Sequence, residues 1–137
     1  MKVLQRMWAL ALLGATIAAI AACAPAQLGT APATGAPVQL RTAPAAVNVC
    51  DDALGSGRLV ANAQTGLAFS DATGATIPIL WPFGYSARRE GSGIALLDKT
   101  GKVVAHEGDF VQAGGGSDGK GVFAVCAGSV KVVPPPK

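Results

Sequence analysis

The sequence predicts a small all-β domain, a barrel of about 6–8 short strands, and three observations predict it. Short apolar runs recur along residues 47–133, separated by Gly, Asp, Asn and Pro at the spacing of a barrel or sandwich. No stretch after Cys23 carries a 3.6-residue apolar period with helix caps. Cys50 and Cys126 bracket nearly all of the strand pattern, as a staple would in a domain with few bulky residues.

The elements follow in order. Val47 opens the folded part, and Gly55-Ser56-Gly57 reads as a flexible turn. The first strand is expected over 58–63 and the next over 67–70, with Leu67 and Phe69 on one face by the period of two. Asp71-Ala72-Thr73-Gly74 is a turn. A strand over 76–81 contains Pro78, which places it at an edge or beside a bulge. Pro82-Phe83-Gly84-Tyr85 breaks the sheet. Strands over 93–97 and 102–106 form a hairpin about Asp98-Lys99-Thr100-Gly101. Residues 110–113 are extended. Gly114-Gly115-Gly116 is expected to leave the strand conformation for angles that glycine adopts easily, as a loop. Strands over 122–126 and 129–133 close the domain, and residues 134–137 are a Pro-rich tail. Closure manages the edges of so many short strands, so an OB-like barrel is expected, with a small sandwich as the alternative.

The N-terminal part reads differently. Lys2 and Arg6 precede an uncharged run over 7–22, which is 22 − 7 + 1 = 16 residues. That is short of the roughly 20 that a membrane span needs. A basic start, an apolar run and small residues make a secretory signal, here residues 1–22. Ile20-Ala21-Ala22-Cys23 resembles the lipobox of bacterial lipoproteins. The resemblance implies a diacylglyceryl group on the Cys23 thiol, cleavage before it, and a new amino terminus open to acylation by palmitate-like chains. Two or three such chains hold a protein stably on a membrane. The alternatives are an ordinary secretory signal cut near Ala24-Pro25-Ala26 and an uncleaved helix. Residues 24–46, with Pro25, Pro32, Pro37 and Pro44, read as a flexible tether without secondary structure. The expected location is the bacterial cell envelope, facing the periplasm or the exterior.

Charge and cysteines fit export. The chain carries 11 Lys plus Arg against 8 Asp plus Glu, and losing Lys2 and Arg6 leaves 9 − 8 = +1. So weak a balance argues against nucleic acid as partner. With Cys23 lipidated, Cys50 and Cys126 remain as an even pair, expected to form a disulfide in an oxidising compartment.

A second resemblance lies at Ile79-Leu80-Trp81-Pro82-Phe83-Gly84-Tyr85 and at Gly101 to Gly116, including Gly108-Asp109-Phe110-Val111. It is to small exported bacterial lipoproteins of unknown function, with a Trp-Pro-x-Gly turn, a Gly-Asp-x-Val step and a glycine cluster. It implies a small envelope β-barrel and supplies no catalytic residue.

The chemical motifs are weak. Residues 114–119 match G-x-G-x-x-G, but a strand pattern follows where a dinucleotide site needs a helix. Ser117-Asp118-Gly119-Lys120 matches S-x-x-K without the further motifs that chemistry requires. His106 is the only histidine, and neither metal ligands nor a nucleophile stand at a telling spacing from it. No catalytic residue, cofactor or metal is therefore expected. The one functional group is Trp81, Phe83, Tyr85, Arg88 and Arg89, whose rings and guanidinium planes suit sugars or anionic polymers. The resulting expectation is a monomeric, non-catalytic module binding an envelope component or partner protein. A structural assembly lipoprotein is the alternative, and an enzyme acting on wall or glycan a more distant one.

Overall fold

The computed structural model describes residues 35–47 and 49–137. The expected signal segment, Cys23 and the tether as far as residue 34 lie outside the described residues. The described part is all-β. Its strands are β1 (Pro37–Val38), β2 (Ala53–Asn62), β3 (Gly66–Ser70), β4 (Thr76–Ile77), β5 (Ile79–Leu80), β6 (Ser86–Glu90), β7 (Gly93–Leu97), β8 (Val103–His106), β9 (Phe110–Ser117), β10 (Phe123–Val125) and β11 (Lys131–Val132).

The larger sheet has the order β4-β3-β2-β9-β10-β5, with β11 added on β9. Its two ends meet through Pro78. β4 pairs antiparallel with β3, Phe69 opposite Ile77. One residue beyond Pro78, β5 pairs parallel with β10, Ile79 opposite Phe123. Pro78 cannot donate to a ladder, and its carbonyl accepts from the Phe123 N–H at 2.9 Å. The proline is thus the corner at which one segment changes partner. With β4 and β5 counted as one bent strand, the sheet is a nearly closed five-segment barrel, the small β-barrel that the sequence leads one to expect.

The smaller sheet has the order β1-β6-β7-β8. Both sheets share one core. Leu59, Leu67, Phe69, Ile79, Trp81, Val111 and Val125 come from the barrel, and Ala87, Ile94, Leu96 and Ala105 from the smaller sheet. Leu67 and Phe69 do share the inner face. Trp81 is fully buried, meets Phe69 edge-on at 6.4 Å, and donates from Nε1 to the Leu67 carbonyl at 3.1 Å. The indole is thereby satisfied at both its apolar and its polar ends. Cys50 and Cys126 form the expected disulfide, with Cα atoms 5.8 Å apart.

Four expectations need correction. The tether was expected to reach residue 46, but residues 35–43 belong to the fold. The Gly35 N–H donates to Arg89 O, β1 pairs with β6, and Leu40 is buried. The Trp81 N–H then donates to Arg41 O, and the Ala43 N–H to Trp81 O. This strap runs from the smaller sheet to the barrel. Two apolar residues, Val38 and Leu40, suffice to seat it, too few to register as a period.

The Gly114-Gly115-Gly116 run is not a loop. It lies inside β9 between β2 and β10. Two of its glycines are demanded by crowding: a Cβ on Gly115 would strike the Ala124 carbonyl and the Phe123 ring, and one on Gly116 the Asp51 carboxylate. Gly55-Ser56-Gly57, expected as a turn, likewise lies in β2, paired with Ala113 to Val111 of β9. Finally, β6 was not foreseen. Ser86-Ala87-Arg88-Arg89-Glu90 offers only Ala87 to the core, and its strand form comes from pairing on both sides.

One turn design recurs three times. In 71–75, 98–102 and 118–122 the Asp Oδ1 accepts from the backbone N–H groups two and four residues on. The Asp N–H donates to the carbonyl four residues on in each. Gly74, Gly101 and Gly121 hold the left-handed position, with φ of 83°, 82° and 86°. Two of these Asp-x-x-Gly turns were legible as turns. The third fell in the S-x-x-K match and is simply a hairpin turn.

Candidate functional site

The group Trp81, Phe83, Tyr85, Arg88 and Arg89 does not form one surface. Trp81 is core. Tyr85 is 7% exposed, and its hydroxyl accepts from the Gly128 N–H at 3.2 Å. Arg88 and Arg89 are consecutive in β6 and so point to opposite faces. Phe83 alone of the three aromatics stands out, 53% exposed, in the turn that Gly84 makes with φ 83°.

Beside Phe83 runs an apolar groove of about 500 Å³. Ala43 to Val47, Leu80 to Phe83, Ala124, Val125 and Ala127 line it. Lys99 is the one charged residue of its lining among the described residues. A second hollow, of about 210 Å³, adjoins it past the disulfide and shares Val47, Ala124, Val125 and Ala127. Val47 and Val49 on this rim are 72% and 85% exposed. Sites of this volume with apolar walls and a single polar feature are the usual form of a ligand site. The sequence hid it, because its wall comes from the segment read as tether.

The other arrangement lies on the outer face of the smaller sheet. Arg88, Ala95 and His106 are in register across β6, β7 and β8. Arg88 donates from Nε and Nη2 to Glu90 Oε1 at 2.9 and 2.6 Å. His106 Nε2 lies 3.3 Å from Glu90 Oε2, and Nδ1 lies 3.8 Å from Asp109 Oδ2. The Arg88 hydrogen bonds hold the Glu90 carboxyl below its ordinary value, with a smaller contribution from His106. Ala95 is wholly covered beneath this network. The His106 ring, 54% exposed, thus has two carboxylates nearby, of which Glu90 alone is within hydrogen-bond distance. Its ring nevertheless makes no hydrogen bond to a hydroxyl or thiol among the described residues. No group of three or more His, Cys, Asp or Glu side chains there could hold a metal.

The three turn aspartates also titrate low. The Thr73 hydroxyl leads for Asp71, the Thr100 hydroxyl for Asp98, and the Lys120 N–H for Asp118. Their carboxylates serve the turns as acceptors, and that use explains the shifts without any catalytic demand.

Comparison with protein-family models, with curated proteins and with solved structures found no match to this chain. No helix among the described residues is long and apolar enough to cross a membrane.

Proposed function

We propose that the chain is a lipid-anchored, non-catalytic β module of the bacterial cell envelope that binds an envelope component or partner protein through the groove beside Phe83. The groove carries the binding half of this reading. It is a preformed apolar hollow flanked by an exposed aromatic ring, on a domain small enough that each buried apolar residue counts. The anchor half rests on Ile20-Ala21-Ala22-Cys23 and the uncharged run before it.

The test is fractionation of cells making wild-type and Cys23→Ser protein, joined to photo-crosslinking from position 83. Wild type should sediment with membranes and give a discrete adduct, and Cys23→Ser should be released. A Cys23→Ser protein held as firmly as wild type would contradict the anchor. An absence of any adduct from position 83 would contradict the groove.

A further inference from the structure

We infer that the occupant of the groove is the bilayer itself, with Val47, Val49 and Phe83 entering an anionic phospholipid surface and Lys99 meeting its phosphates. This rests on the anchored reading above and names the component that the groove binds.

Two observations lead there. Val47, Val49 and Phe83, three of the five large apolar residues exposed among those described, line two adjoining hollows; Lys99 is the one charged residue of the groove lining and Asp51 that of the smaller hollow. Exposed apolar side chains with a lysine in the same lining suit an interface at which methyl groups sit among acyl chains and an ammonium reaches the headgroups.

The strap supplies the second observation. The fold already includes Gly35, well before Val47. From Cys23 the chain then has 35 − 23 = 12 steps, a reach of at most about 40 Å. A tether ending at residue 46 would have allowed about twice that. A domain held so close meets the bilayer at high effective concentration, so a patch of a few side chains is enough to dock it. A protein partner would have to be recruited from solution against this competitor.

Cleavage before Cys23 removes Trp8 and leaves Trp81, in the groove lining, as the only tryptophan of the mature chain. The native lipoprotein is therefore its own probe. It is reconstituted into phosphatidylcholine–phosphatidylglycerol vesicles whose acyl chains do or do not carry bromine, and Trp81 emission is compared. Brominated lipid should quench Trp81. The quenching should fall in Phe83→Asp and Lys99→Glu proteins, and in vesicles of phosphatidylcholine alone. Flotation is read on the same samples. A protein that fails to float removes the anchor reading. A protein that floats without quenching overturns the bilayer as occupant and leaves the anchor intact. Quenching that neither substitution alters overturns it as well. So does quenching that disappears when an envelope protein is added and crosslinks at position 83, and the occupant is then that protein.

Discussion

The barrel and the smaller sheet share a core, yet different forces hold them. The barrel is filled by large side chains, closed at Pro78 and stapled between Cys50 and Cys126. The smaller sheet gives the core two small alanines beside Ile94 and Leu96. Its remaining support is the strap at one edge and a half-exposed ion-pair network on its outer face. Barrel stability should therefore follow apolar burial and the covalent link. The smaller sheet should depend on a chain segment that looks dispensable.

The largest expected effect is in the barrel. Trp81→Ala removes a ring at 0% exposure together with its hydrogen bond to the Leu67 carbonyl, and should cost about 3–5 kcal/mol by urea denaturation. A loss below about 1 kcal/mol would mean that the shared core does not turn on Trp81. Next comes the staple. It closes 76 residues of sequence separation, so Cys126→Ser should cost about 2–4 kcal/mol. An equal midpoint for oxidised and reduced wild type would contradict that.

In the smaller sheet, Leu40→Ala should cost about 2 kcal/mol, the low end for a buried leucine because Leu40 keeps 9% of its surface exposed. A tether residue would cost nothing, so this substitution separates the two descriptions of residues 35–43. Amide exchange should show Arg89 protected along with its partners in the strap, and loss of that protection in Leu40→Ala would sharpen the contrast.

The smallest effect concerns pH and belongs to the turns of both regions. Asp71, Asp98 and Asp118 have folded-state pKa values below the ordinary 3.8. The folded form thus favours the charged carboxylate. Its contribution is fully present above the ordinary value and is lost as pH falls through the lower folded values. Urea midpoints should hold steady on acidification to that range and decline beneath it. Replacing all three residues with Asn should flatten the decline, and an unchanged acid limb would assign it to other groups.

How much of this was legible follows from where large apolar residues lie. Leu67, Phe69, Ile94 and Leu96 mark their strands by spacing, and Asp98 to Gly101 announces its hairpin. β6 was opaque because an arginine-rich strand with one inward alanine has no pattern to read. The strap was opaque because prolines and alanines imply an extended chain but not what it lies against. The glycines of β9 misled in the other direction: the sequence shows that a Cβ is missing, and only the Phe123 ring and the Asp51 carboxylate show why. The candidate site suffered from the same gap. Trp81 and Phe83 are two residues apart, and a turn sends one ring into the core and leaves the other in solvent.

The account depends most on the chemistry at Cys23, and the intact mass of the membrane-extracted protein under non-reducing conditions tests it. The expected species begins at Cys23, carries acyl groups on it, and is lighter by two hydrogens for the bond between Cys50 and Cys126. A protein that still begins at Met1, or that begins at Cys23 without added mass, would contradict the account.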